Sequence, residues 1–402
     1  MKVFNPMQYL AIDIANHFGL DKLNYEERID WVKTNINSLE NMTEQAEEPI
    51  LFAKAVHALR QTQQGIPTGH TVAFDATCSG LQLMSLLTNC KSGMSLTGLI
   101  DPNKRSDAYT QITEYINYLL KQDGIDSVEV SRKDAKQAIM TSLYGSKAKP
   151  KELFGKQLLP YFYKAMDECC TGAMDLLSWL LNSWQDIQVQ SWVLPDGHTA
   201  YIPTMQQVTK RVSIDELNYT PVVTYYENIA SEKGIANAAN VVHSVDALVL
   251  RELVRRCNYH KGELKTFLRL HANAEQTKQV DDTLWINERF KATGFASISF
   301  IEAIEYNNIT KVSNELREAL ANICEHILSH PKFEVITIHD SFACSPIHMQ
   351  RLREHYNNIL VELYESHTLD DLLSQVYQTK ITVNVGEKTL SETIRNSNYG
   401  IN

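Results

Sequence analysis

The sequence is short of positive charge, paired cysteines and long apolar runs, and each shortage excludes something. Its 38 Lys and Arg are outnumbered by 48 Asp and Glu, giving a net charge of -10 over 402 residues. That balance excludes a small basic protein that coats nucleic acid by bulk attraction, though it allows a local basic channel. The seven cysteines, at 78, 90, 169, 170, 257, 324 and 344, include no C-x-x-C pair. An odd count without such pairs points away from a disulfide framework or structural zinc and toward a reduced, intracellular chain. No window of about 20 residues is apolar throughout, so no membrane span is expected. The opening MKVFNPMQYLAIDIANHFG carries Asp13 too early for a signal peptide. With only 16 Gly and 11 Pro, extended disorder is not expected. No internal repeat and no G-x-x-x-x-G-K run is present.

What is present suggests two or three domains, at roughly 150 residues each. Residues 8 to 65 carry apolar side chains at helical spacing. Gly65, Pro67 and Gly69 break that pattern before TVAFDA, a β-prone run ending at Asp75. A short turn leads into LQLMSLL, read as a buried helix. Helices are expected over 107 to 121 and over 130 to 144, the latter with Ser131 as N-cap. Further helices follow across 161 to 184. VQSWVLPDGHTAYIP reads as a hairpin turning at Pro195, Asp196 and Gly197. Residues 240 to 257 read as a helix, and 258 to 330 as a polar, helical insertion. FEVITIHDSFACSP reads as two β runs around His339 and Asp340, and helices with a short strand complete the chain. The fold class is α/β in content, more closely α+β and helix-rich, with carboxylates at strand ends.

Three segments carry chemistry. Asp75 ends one apolar strand, and Asp340 lies between two others. Each alone is as readily a cap or turn residue. Brought together they would repel, by about 4 kcal/mol at 4 Å and an effective dielectric of 20, unless cations bridged them. Hard oxygen ligands favour Mg²⁺, and such a pair is what a two-metal phosphoryl-transfer site requires. The third segment, RKDAKQAIMTSLYGSKAKPK, spaces Arg132, Lys136 and Tyr144 by four and eight. On a helix these share one face, with Lys136 and Tyr144 about 12 Å apart, roughly the reach from a triphosphate to its base. A solvated basic face with a snorkelling Tyr fits that spacing equally well.

FDATCSGLQ, K-x7-YGS and IHDSF, in that order, resemble motifs A, B and C of the single-subunit DNA-directed RNA polymerases of bacteriophages and mitochondria. ANHFGLDKLNYEERI, the tripeptide DAY at 107 to 109, SWVLPDG, NVVHSVDA and the ending LSETIRNSNYGIN also resemble segments of that family. The tail is one that reaches back toward the active site. The resemblance implies a right-hand palm and fingers without the N-terminal and thumb portions. Residues 1–91 would be the first part of the palm with motif A, and 92–243 the fingers with motif B. Residues 244–402 would be the second part of the palm with motif C, including the insertion at about 258–325.

The resemblance also implies roles. Asp75 and Asp340, helped by the Ala76 carbonyl, would bind two Mg²⁺ ions; the family usually has Gly at position 76. Lys136 would contact the triphosphate and act as general acid for pyrophosphate, and Arg132 would hold phosphate. Tyr144 would select ribose, with His243 near the 2′-hydroxyl. Tyr109 would support substrate and template, and His339 would flank the metals. The partners would be a DNA template, an RNA product and ribonucleoside triphosphates, in the cytoplasm of an infected bacterial host.

The chain departs from the family in two ways. Family members are about twice as long, and the half with promoter contacts and thumb is not found here. The chain starts with Met and reads as complete. It therefore resembles the larger subunit of the two-subunit RNA polymerase of Enquatro-type phages, which implies a second subunit and a recruitment factor as partners. His243 and Asp340 are also 97 residues apart, more than the family usually has. The insertion between them reads either as a solvated surface element or as a docking surface for that subunit. A DNA polymerase or primase-like enzyme is the rival among enzymes. It usually carries His-Asp-Glu in motif C, against His339-Asp340-Ser341 here, and a Glu in motif A, against Cys78-Ser79-Gly80-Leu81-Gln82. An inactive scaffold has no need of Asp75, Lys136, Tyr144 and Asp340 together. The local charge agrees with an enzyme on nucleic acid. Between 132 and 156 seven basic residues face only Asp134 and Glu152, so +5 sits there and about -15 elsewhere.

Overall fold

Three short β runs build the sheet on which the site rests, with Asp75 at the end of one and Asp340 in the turn between the other two. The computed structural model describes residues 1–402. Ahead of the sheet lie α1 (Pro6–Ala15), α2 (Tyr25–Thr34) and α3 (Pro49–Gln63). Asn5 and Asn24 open the first two helices with capping boxes, as Asn three residues before Gln8 and Glu27 allows. β1 (Val72–Asp75) follows, then α4 (Ser79–Leu87), α5 (Lys91–Leu96), α6 (Ala108–Gln122) and α7 (Arg132–Ser142). The Ser131 side chain accepts from the Asp134 backbone and caps α7.

Next come α8 (Ala148–Cys169), kinked at Gly155, and α9 (Thr171–Leu181). The expected hairpin forms as β2 (Val189–Val193) and β3 (Thr199–Pro203). A second hairpin, β4 (Met205–Arg211) with β5 (Val222–Asn228), stands away from the body with most of its residues exposed. The sequence reading misses it, because its apolar and polar residues do not alternate by face when neither face is buried. The chain continues through α10 (Ala236–Cys257), α11 (Lys261–Asn273), α12 (Trp285–Thr293) and α13 (Asn314–Leu328). β6 (Ile336–Ile338), β7 (Ser341–Cys344), α14 (Met349–Glu365), α15 (Thr368–Tyr377) and α16 (Ser391–Arg395) complete it.

The central sheet has the order β1-β7-β6, all antiparallel, with Asp75 opposite Ser341. Val72 and Phe74 face the core, so strand alternation turns Asp75 outward. The short closing strand expected near the C-terminus is absent. Residues 379–390 are irregular, and residues 400–402 instead add to the free edge of β1. Ala76 bridges Ile401, and Asp75 and Asn402 exchange backbone hydrogen bonds of 3.2 and 2.9 Å. Buried Arg28 donates to the carbonyls of Leu23 and Asp21 and to the Asn402 side chain, which ties the segment after α1 to that tail.

One apolar core runs from α1 to the tail. The insertion is not simply polar. It has a separate core around Leu264, Phe267, Phe300, Leu316 and Leu320, so it is a folded body of its own.

Candidate active site

Both candidate metal carboxylates sit next to turns that force unusual backbone. Only two residues, His339 and Asp340, join β6 to β7, and His339 takes φ +53°. Three residues after Asp75, Cys78 takes φ +54° as α4 begins. Left-handed backbone at non-glycine residues costs about 1–3 kcal/mol and persists where the surroundings over-determine it. The Ala76 N–H donates to the Asp340 carbonyl at 2.9 Å, which locks the two turns together.

Neither the Asp75 nor the Asp340 carboxylate has a hydrogen-bonding or ionic partner in the protein, and no backbone N–H donates to the Ala76 carbonyl. Two unpartnered carboxylates and a free carbonyl on neighbouring strand ends fit Mg²⁺, which commonly takes one or two carboxylates and completes its shell with water and substrate phosphate. No group of three His, Cys, Asp or Glu side chains converges to hold a metal without such help.

The helix α7 faces this pair. Lys136 is exposed, and its Nζ lies 5.4 Å from the centre of the Tyr109 ring. Arg132 is 5.7 Å from the same ring, so Tyr109 carries both cations on one face. Arg132 is not free as the sequence suggests: its Nη2 pairs with Asp107 at 2.6 Å. Asp107 also caps α6 by accepting from Thr110 N–H at 3.2 Å. Burial pushes the Tyr109 hydroxyl well up, with the Cys78 thiol beside it adding to the effect. The basic residues from Lys149 to Lys156 lie on the start of α8.

Helix α7 also ends sooner than expected, at Ser142. Tyr144 lies in the turn beyond it, ahead of Gly145 at φ +88°, so the helical-face argument stops short of it. Its ring sits 4.6 Å from His243 on α10. Its hydroxyl rests on Gly80: a Cβ built there would be 2.6 Å from the Tyr144 oxygen and 3.1 Å from Cζ. Burial, followed by Asp246 and Cys78, pushes the Tyr144 hydroxyl up to about 12, so it remains a hydrogen-bond donor at neutral pH. Burial and then His339 hold His243 below the usual histidine range.

Direct contacts link these residues in part: Lys136 and Arg132 meet at Tyr109, Tyr144 meets His243 and Gly80, and the Ala76 N–H joins Asp75's strand end to Asp340. The structure adds four residues that the sequence reading did not single out. Gly80 and Cys78 lay inside the recognised motif, and Asp107 inside DAY. Asp246 follows His243 by three, on the same helical face.

Burial, with Asp340 next, pushes the Asp246 carboxyl from 3.8 up to about 6. A carboxyl whose folded pKa is raised contributes stability fully below its unfolded pKa and loses it as pH rises through the folded value. Without divalent cations, Asp246→Asn should therefore raise Tm by about 2–4 °C at pH 7–8. Below about pH 4 it should leave Tm unchanged, which a calorimetric pH series would check.

A helix-rich α+β fold with a small sheet bearing Asp75 and Asp340 is consistent with the palm and fingers of a right-hand polymerase. Residues 4–152 match the family model described as DNA-dependent RNA polymerase. It is 23% identical over 305 residues to a DNA-directed RNA polymerase of Pseudomonas phage phiKMV, covering 60% of this chain and 37% of that one. It is 24% identical over 311 residues to DNA-directed RNA polymerase 1, mitochondrial, of Arabidopsis thaliana, covering 63% and 32%. A probable DNA-directed RNA polymerase of Neurospora crassa is 27% identical over 157 residues, covering 35% and 18%. The chain therefore spans about a third or less of the length of these relatives.

Proposed function

We propose that this protein is the catalytic subunit of a DNA-directed RNA polymerase, extending RNA 3′ ends on a DNA template for phage gene transcription. The observation that supports this reading is that the strand ends bearing Asp75 and Asp340 are hydrogen-bonded together through the Ala76 N–H, with both carboxylates unpartnered. Asp75, Asp340 and the Ala76 carbonyl would hold two Mg²⁺ ions, which when bound activate the RNA 3′-hydroxyl and stabilise charge on the transferring phosphate. Lys136, the cation without an acidic partner, grips the triphosphate and can give a proton to departing pyrophosphate. Arg132 turns from Asp107 to phosphate when substrate arrives. Tyr144 and His243 together meet the ribose, since the 2′-hydroxyl can both donate and accept. Tyr109 keeps the two cations in register beneath the substrate, and His339 fixes the turn that bears Asp340.

A second polypeptide supplies the rest of the enzyme. The acidic balance supports this reading, because duplex grip requires many phosphate contacts that this chain's net charge of -10 does not supply. A recruitment factor and residence in the cytoplasm of an infected bacterium fit the same reading; no helix is long and apolar enough to cross a membrane. Runoff synthesis on single-stranded DNA tests it. RNA should appear with the second polypeptide and not with this chain alone, and full activity of the chain alone would remove the split enzyme. Tyr144→Phe should relax ribose preference by about tenfold or more, the effect of losing one buried sugar contact. Competing ribo- and deoxynucleotides in primer extension would measure it.

A further inference from the structure

The insertion does not merely decorate the surface; it is bolted to the palm at two places, both leading to α10. At the first, Arg289 of α12, 8% exposed, pairs with Asp371 of α15 at 2.5 Å. The same guanidinium donates to the Val193 carbonyl at 3.1 Å. Gln375 holds Val193 from the other side, accepting its N–H at 2.7 Å and donating to its carbonyl at 3.0 Å. Val193 ends β2. Its neighbour Trp192, 1% exposed, donates its indole N–H to the Ser244 hydroxyl at 2.9 Å. Ser244 passes that bond on to the Val241 carbonyl at 2.7 Å, and it is adjacent to His243.

The second bolt lies further along the same helix. Glu252, fully buried, accepts from the Ser297 hydroxyl at 2.7 Å and the Ile298 N–H at 3.1 Å, both in the insertion. It also pairs with Arg256 at 3.0 Å. Between the bolts, Trp285 covers the hairpin turn so closely that a Cβ on Gly197 would come within 2.5 Å of its ring. Buried guanidinium and carboxylate groups are costly to assemble, and a solvated appendage would need none of them. Positions 244 and 252 are eight residues apart, about 12 Å along α10. Holding a helix at two points that far apart fixes its rotation as well as its place.

We infer that the insertion is a brace for α10, and that Arg289 and Trp192 are positioning residues for sugar selection. They act by setting His243 against Tyr144. The inference rests on the proposed role of that pair. A small roll of α10 would swing His243 away from the 2′-hydroxyl while leaving Asp75, Asp340 and Lys136 in place. The cost should therefore fall on discrimination more than on turnover.

The test is competitive incorporation of ribo- and deoxynucleotides by the reconstituted polymerase, with Tm measured alongside. Ser244→Ala removes the hydroxyl that accepts the Trp192 N–H while leaving the indole in place; Arg289→Ala removes the strut. Each should lower ribose preference about three- to tenfold, the range for one buried hydrogen bond, with turnover of the correct nucleotide little changed. The double variant should be no worse than the more severe single one, because both cut the same connection. Unchanged preference in both variants, while Tyr144→Phe relaxes it, overturns the brace. So does an equal loss for both nucleotides that merely follows Tm. Unchanged preference in Tyr144→Phe itself overturns the sugar-site reading, and the brace with it.

Discussion

Asp75→Asn, like Asp340→Asn, should cut nucleotide addition by about a thousandfold or more while leaving the fold intact. The change in turnover reflects several kcal/mol of transition-state charge stabilisation that metal at a carboxylate supplies. The intact fold follows from what these side chains lack. Neither carboxylate caps a helix, pairs with a cation or accepts a hydrogen bond from the protein, so an amide of the same shape leaves no buried partner stranded. Removing one of two neighbouring negative charges should, if anything, stabilise the metal-free protein. Single-turnover extension of an RNA primer, with circular dichroism to confirm folding, separates these outcomes. Normal extension by either variant would refute the metal assignment.

Gly80→Ala should cost about a hundredfold in addition of the correct ribonucleotide, through Tyr144. An added methyl would stand 2.6 Å from the tyrosine oxygen and 3.1 Å from Cζ, closer than atoms tolerate. The ring has His243 at 4.6 Å on another side, so it must leave its place. A displacement of about 1 Å at a substrate-positioning group is enough for an effect of that size. Because the nearest clash is with the hydroxyl, the double variant Gly80→Ala/Tyr144→Phe should recover part of the loss. Gly80→Ala without effect, or a double variant no better than the single, would show that Tyr144 does not depend on this close approach.

The sequence made the reacting groups legible because they lie in short, contiguous stretches whose local structure is strongly determined. Asp75 and Asp340 sit where apolar β runs stop, and Ser131 announces the start of the helix that carries Lys136. The misses have a shared physical origin, since each depends on a contact between segments far apart in the chain. Arg132 reads as a free cation until Asp107, 25 residues earlier, is folded beside it. Asp246 looks like an ordinary helical aspartate until Asp340 is brought near. Tyr144 looks helical because the pattern of α7 runs past the point where Gly145 ends it. The free-standing hairpin over 205–228 buries too little to leave an alternating pattern. The C-terminal segment forms no strand in the expected place because its backbone partners are on β1, more than 300 residues earlier.

The central claim is template-directed RNA synthesis at the Asp75–Asp340 centre. The most direct measurement is extension of an RNA primer annealed to DNA, with Mg²⁺, ribonucleoside triphosphates and the second polypeptide present. An annealed primer removes any need for a promoter. The expected result is addition of the template-matched ribonucleotide by the native protein and none by Asp340→Asn. Equal extension by both proteins, or none by the native protein with its partner present, would contradict the account.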